Sequence, residues 1–454
     1  MRTLSLLVAA SIPALAAHAQ HTPPATATAP VVFTSQLARA DLAAFRENVL
    51  EKDAAFTPSA RAEGRARLDK LDAAADTLHR AYFELELSRI VALADNGHTS
   101  SPPVMRAPRF NRVPFRLTPL DSGFYVLRAQ AAHADLLGAK LVSIDGKPVN
   151  DVRAVARTLS GGINRWRDRY APYFMESPAL MQALGVVRDS TAATFEFVLG
   201  NNRKVSRRIA ADAPSGPATF APTSRWLSPS EFQADGHEWR TLLTEADAPW
   251  SLREWGKRFR WRDAPEVQGV VVELRQNVDA GEQKLTPFLT MMLDTLKARA
   301  PRVIVLDMRF NSGGNLQITR DFAESLPKIA SERVFVITSP YTFSAAISTV
   351  GYLKQAAPDK VTIVGEGLGD RLNFFAEGRP FDLPGTGVGF GVTTQRHDYE
   401  TGCTGYKDCH LAVALRPIRV KSLEPEIMAP WTIGALMAKK DPSMEAIAAR
   451  LNRK

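Results

Sequence analysis

The chain has no long apolar run beyond its first residues, only two cysteines, and no dense basic block. Each absence excludes something. A permanent membrane span needs roughly 20 consecutive apolar residues, and the single candidate, Leu6 to Ala17, is too short. Preceded by Arg2 and followed by the small-x-small triplet Ala17-His18-Ala19, it reads as a signal peptide over residues 1–19. The expectation is a periplasmic or secreted protein whose mature chain starts at Gln20, without stable membrane insertion. The net charge of +9 is scattered among acids, with no interleaved aromatics, so no nucleic-acid partner is expected. Cys403 and Cys409 would meet oxidising conditions after export, and a small local disulfide loop is the leading reading. His397 and His410 flank them, yet the spacing matches no usual zinc pattern, so no metal is expected.

Texture changes along the chain divide it further. Residues 20–34 are rich in Ala, Thr and Pro and read as a flexible leader. Over residues 36–94 the composition turns to Ala, Leu, Arg and Glu, and Leu68, Leu71, Ala75, Leu78, Tyr82 and Leu85 form an amphipathic stripe. Asn96-Gly97 is a natural stop for that helical region. Residues 123–127, 140–144, 195–198 and 204–209 read as strands, with Asp145-Gly146 as a tight turn and a helix over 151–159. An insertion rich in Arg and aromatics lies near Trp166 to Tyr173, and residues 214–249 read as a connector. Beyond it, the apolar runs at 270–274, 303–306, 334–337 and 361–364 are separated by helix-length segments. Such runs suit strands buried on both faces, which predicts an α/β domain of parallel crossovers.

Two strand-to-helix turns in that region carry chemistry. Asp307-Met-Arg-Phe-Asn-Ser-Gly-Gly-Asn315 follows one strand, and its glycines let the backbone expose N–H groups closely to a ligand. The next strand leads through Ser339-Pro-Tyr-Thr-Phe-Ser344 into a helix, placing Ser344 beside free N–H groups and the positive end of the helix dipole. A serine there usually serves as a cap. If the two turns converge, Ser344 Oγ becomes a nucleophile, with the N–H groups of Ala345 and of Gly313 or Gly314 as its oxyanion donors.

These motifs resemble those of the tail-specific and tricorn-type serine peptidases. The 307–315 turn is similar to the family's Asp-Leu-Arg-x-Asn-x-Gly-Gly turn, and Thr-Phe-Ser-Ala-Ala around Ser344 to its nucleophile segment. Ile363-Val-Gly-Glu366, Ser422-Leu-Glu-Pro-Glu-Ile427 and Asp441-Pro-Ser-Met-Glu-Ala-Ile447 follow in the family's order. In the tail-specific branch a lysine after the Val-Gly-Glu strand activates the serine, but Gly367-Leu-Gly-Asp-Arg-Leu372 has none. The tricorn-like branch uses an amino-terminal histidine, and Leu93-Ala-Asp-Asn-Gly-His-Thr99 resembles that motif, which makes His98 the expected base. That branch also relays through a serine next to the histidine; here Gly97 stands in its place, with Thr99 or Ser100 as open substitutes. Glu400 is the expected orienting carboxylate, with Asp398 and Asp95 as competitors.

The resemblance implies a crotonase-like α/β spiral catalytic domain over residues 215–454, a PDZ-like module with an insertion over 111–214, and an N-terminal helical domain over 20–110. It implies peptide-bond hydrolysis without a cofactor, on a peptide or protein substrate. The rival is a noncatalytic protein on the same scaffold that binds peptides or apolar ligands.

Overall fold

The structure, a computed structural model, describes residues 32–214, 223–230 and 236–452. The expected signal peptide and nearly all of the leader lie outside the described residues. Among the described residues, no helix is long and apolar enough to cross a membrane.

The chain opens with α1 (Ser35–Phe45), α2 (Pro58–Ala73) and α3 (Arg80–Ala92). Thr34 and Thr57 start the first two, their hydroxyls accepting the N–H groups of Leu37 and Ala60. The stripe from Leu68 to Leu85 does not belong to one helix. The Thr77 amide and hydroxyl both turn back onto Ala74 O, at 2.9 and 3.0 Å, closing a 3-10 turn that redirects the chain. Leu68, Leu71, Ala75 and Leu85 are buried, whereas Tyr82 is 38% exposed.

A seven-stranded antiparallel sheet follows. Its strands are β1 (Phe115–Leu120), β2 (Gly123–Gln130), β3 (Lys140–Ile144), β4 (Lys147–Pro148), β5 (Ala192–Val198), β6 (Lys204–Ala210) and β7 (Trp239–Thr241). Between β4 and β5 lie α4 (Val149–Arg157), α5 (Asn164–Met175) and α6 (Pro178–Ala183). The Arg- and aromatic-rich insertion is therefore mainly helix α5, whose Trp166, Tyr173 and Phe174 are buried. The segment expected as a plain connector also contributes structure: β7 pairs with β2, and Trp226 is buried. Its apolar content anchors it despite its Pro and Ser.

The third block is a six-stranded sheet in the order β15-β12-β11-β10-β9-β8. Its strands are β8 (Phe259–Ala264), β9 (Gly269–Leu274), β10 (Val303–Asp307), β11 (Arg333–Thr338), β12 (Val361–Gly365) and β15 (Ile427–Met428). As the apolar runs predict, β9 to β12 are mutually parallel and joined by α7 (Leu285–Arg299), α8 (Leu316–Ile329) and α9 (Ala345–Ala356). Val303, Ile304, Val305 and Leu306 are fully buried, so both faces of β10 are covered. A long antiparallel hairpin, β13 (Asn373–Asp382) and β14 (Gly389–Asp398), leaves this sheet. Its Leu383, Phe390 and Val392 enter the core of the N-terminal helices, with Phe45 and Phe83. The chain ends in α10 (Leu411–Leu415), α11 (Ile433–Met437) and α12 (Pro442–Asn452). The result is a mixed α/β fold.

Candidate active site

Adjacent parallel strands end side by side, and in open α/β sheets ligands bind beyond their carboxyl ends. β10 runs into the Gly313-Gly314 turn and β11 into Ser344, so the two turns meet. A Cβ built on Gly313 would stand 2.6 Å from Ser344 Cβ and 3.0 Å from the Ala345 amide nitrogen. Gly313 also has φ +99°, so only glycine fits there.

Two buried asparagines lock this junction. Asn311 Nδ2 donates to Leu274 O and to Asn277 Oδ1, both at 2.9 Å, while Asn311 Oδ1 accepts the Gly313 N–H at 2.9 Å. The Phe343 N–H donates to Asn311 O at 3.0 Å. Asn277 Nδ2 reaches Ala345 O at 3.0 Å and Thr349 Oγ1 at 2.9 Å, and the Asn277 N–H donates to Gly313 O at 2.7 Å. The same side chains thus fix the glycine turn and the start of α9. Beneath them, Arg309 pairs with Asp307 and Asp441, each at 2.9 Å, joining the turn to the start of α12. Those two carboxylates hold the Arg309 proton more firmly than usual, despite burial.

Ser344 stands at the N-terminus of α9 with φ 57° and ψ −131°, and its side chain makes no capping hydrogen bond. A non-glycine residue in such a region costs about 1–3 kcal/mol and persists only where its surroundings impose it. The commonplace alternative, that a serine at a helix start serves as its cap, therefore does not describe its geometry. Of the expected oxyanion donors, Gly313 gives its N–H to Asn311. The Gly314 and Ala345 N–H groups receive no acceptor from any described residue. Ala345 is at the first position of its helix, where the N–H has no partner within the helix.

His98 reaches the same place from the N-terminal block. Its ring stacks on Phe343, the residue before Ser344, with centroids 4.2 Å apart, and on Phe374 of β13 at 5.0 Å. Trp166 covers the other face of Phe343 at 3.6 Å. The loop bearing His98 is clamped to the hairpin: Asn96 Nδ2 donates to Phe375 O, the Phe375 N–H donates to Asn96 Oδ1, and the Gly391 N–H donates to Ser100 O. Thr99 Oγ1 donates to the buried Asp53 Oδ2 at 2.8 Å, and Asp53 also accepts the Thr393 N–H. Thr99 is thereby committed to anchoring the loop and does not replace a relay serine.

The carboxylate facing His98 is Asp370, with Oδ2 3.7 Å from Nδ1 and both side chains buried. A Cβ on Gly97 would meet Asp370 Oδ2 and Phe343 Cε2, each at 2.9 Å. A side chain at residue 97 would have to displace the carboxylate or the Phe343 ring. Asp370 is held by its neighbours: the Gly369 N–H donates to Thr342 O at 2.9 Å, and Arg371 bonds Asp95 O and Oδ2 at 2.8 and 2.7 Å. Of the carboxylates favoured by the sequence, Glu400 is exposed on the turn after β14. Asp398 spends its oxygens on the Glu400 and Thr401 N–H groups and the Thr401 hydroxyl, and Asp95 is exposed between Arg167 and Arg371. Glu400, Asp398 and Asp95 thus have other surroundings, and Asp370 takes the position beside His98. Asp370 lies within residues 367–372, the segment that lacks a lysine.

The described mixed α/β fold is similar to that of solved structures. The particular neighbours include mature CPAF, with TM-score 0.55, 13% identity, and coverage of 92% of this chain and 96% of that one. Mature CPAF complexed with lactacystin gives 0.54 and 12%, covering 92% and 97%. The photosystem II D1 C-terminal processing protease covers 93% and 98% at 14% identity, but its TM-score of 0.38 is too low to support a fold assignment. No protein-family model matches the chain, and no curated protein matches it by sequence. At such identities the likeness establishes the fold, and the chemistry rests on the site.

Proposed function

We propose that the protein is an exported serine peptidase in which Ser344 attacks a peptide carbonyl and His98 takes its proton. The observation that carries this reading is the strained backbone of Ser344 at a helix start, packed against the glycine turn that lines the same point. Asp370 fixes the tautomer of His98 and stabilises its charged form as the serine proton arrives. The N–H groups of Ala345 and Gly314 hold the oxyanion, aided by the α9 dipole. His98 then returns the proton to the leaving amine, and water releases the acyl-enzyme.

In this reading the labour is divided among three regions, and the sheet of the second takes in β7 from beyond residue 214. The helical region over 20–110 supplies the base, and the α/β region over 215–454, of crotonase-like spiral type, supplies nucleophile and carboxylate. The sheet of the 111–214 region acts as a PDZ-like module that receives an extended peptide by strand addition. A fluorophosphonate probe tests the proposal: it should label the purified wild-type protein at Ser344, and the same preparation should cleave unfolded peptides. Absence of both labelling and cleavage favours a noncatalytic binding protein on this scaffold.

A further inference from the structure

The β13–β14 hairpin bears a cluster for which peptide cleavage has no use. Glu377, His397 and His410 each offer one ligand atom, and these atoms all lie within 4.8 Å of one another. His397 is buried, its Nδ1 lying 2.8 Å from Tyr399 Oη, which leaves Nε2 directed at Glu377 Oε1, 3.3 Å away. His410 donates Nδ1–H to Gln395 Oε1 at 2.6 Å, so its Nε2 is likewise the atom left for a ligand. Metal-binding histidines characteristically anchor the opposite ring nitrogen in this way, which fixes tautomer and orientation. The two imidazoles are stacked at 5.1 Å and 11°.

Distances argue in the same direction. Bonds of about 2.0–2.1 Å around a tetrahedral ion place its ligand atoms about 3.3–3.4 Å apart. The His397–Glu377 pair already has that separation, and only His410 needs to close in. Glu377 has φ 49° in the middle of β13, a strained conformation for a non-glycine residue. The thiols are not competitors, since Cys403 and Cys409 are joined as a disulfide that shapes the loop leading to His410.

We propose that Glu377, His397 and His410 bind one zinc-class divalent cation, which cross-links the hairpin to the disulfide loop. Two imidazoles and one carboxylate suit zinc, with the fourth position open to water. The site lies on the far side of Phe374 from His98: Phe374 stacks on His397 at 5.1 Å and on His98 at 5.0 Å. The cation therefore stiffens the wall against which the base packs, and this inference stands whether or not Ser344 cleaves peptides.

The test uses the oxidised, untagged full chain, equilibrated with zinc sulfate, desalted and analysed for metal, with melting temperature and calorimetric Kd measured alongside. One zinc per chain and a raised Tm are expected. Glu377→Gln and His410→Gln should each weaken Kd by at least about 100-fold, while His98→Ala retains the zinc. Should His410→Gln fail to fold, the half-exposed Glu377→Gln carries the test alone. No stoichiometric zinc in the wild type, equal binding in Glu377→Gln, or loss of zinc in His98→Ala overturns the proposal.

Discussion

The two halves of the candidate site are held by different physics. Ser344 is fixed by hydrogen bonds within one sheet, through Asn277, Asn311 and the Gly313 backbone. The loop of His98 is hydrogen-bonded to the β13–β14 hairpin, but its ring is positioned by packing, between the rings of Phe343 and Phe374 and beside Asp370, on elements far apart in sequence. Hydrogen-bonded turns tolerate little displacement, because a buried polar group left unpaired costs about 1–3 kcal/mol. Stacked rings can slide at lower cost. The Ser344 side of the candidate site is thus the rigid reference, and the His98 ring is the part whose position the rest of the fold sets.

Mutations can break this contrast. Ser344→Ala should show the largest effect, reducing peptide hydrolysis to background, while the melting temperature measured by circular dichroism stays close to wild type. Its side chain makes no capping bond, so little stability is lost with it. His98→Ala should lower kcat/KM by about 10⁴-fold, and because the ring is buried between two others it should also cost about 2–4 kcal/mol of stability. Measuring both quantities on one preparation separates the chemical loss from the packing loss.

Asp370→Asn sharpens the comparison, since it preserves shape and removes the charge beside the base. A fall in kcat of about 10²-fold or more, with KM little changed, is expected, whereas Glu400→Gln should stay within about twofold of wild type. Equal effects from the two would return the orienting role to the turn after β14.

The smallest expected effect concerns Glu366, just after β12. Burial pushes its carboxyl up to about 7, from an ordinary value near 4.5. Its raised value means that the folded state binds the proton more tightly than the unfolded chain. Stability from this group is complete below about pH 4.5 and is lost as pH rises towards 7, by at most about 3 kcal/mol. Glu366→Gln should flatten that part of the pH–stability curve, measured by urea unfolding between pH 4 and 8.

Much of the rigid half was legible in the sequence. Apolar runs marked β9 to β12, and the Asn-Ser-Gly-Gly and Thr-Phe-Ser segments marked the turns, because local chemistry dictates both. The amide role of Gly313 was not legible, since its N–H is claimed by a side chain two residues earlier, and only the folded turn shows this. Asn277 carried no motif at all. His98 was readable through its resemblance to a family motif, but its partner was not. Asp370 is 272 positions from it (370 − 98), and proximity of that kind comes from how the β13–β14 hairpin and the N-terminal helices pack. The Gly at position 97 was the available signal: a missing side chain marks a space that something else fills.

The separation of the site along the chain also has a consequence in time. His98 leaves the ribosome 246 residues before Ser344 (344 − 98), and Asp370 follows the serine by 26 (370 − 344). The N-terminal helices can form first during synthesis, but the hairpin that seats His98 is still unmade at that stage. A half-synthesised chain therefore holds His98 without Ser344, and a nascent chain ending just past Ser344 lacks Asp370. On the proposed mechanism, hydrolytic competence would arise only once the segment carrying Asp370 has been made, so the order of synthesis itself would postpone activity.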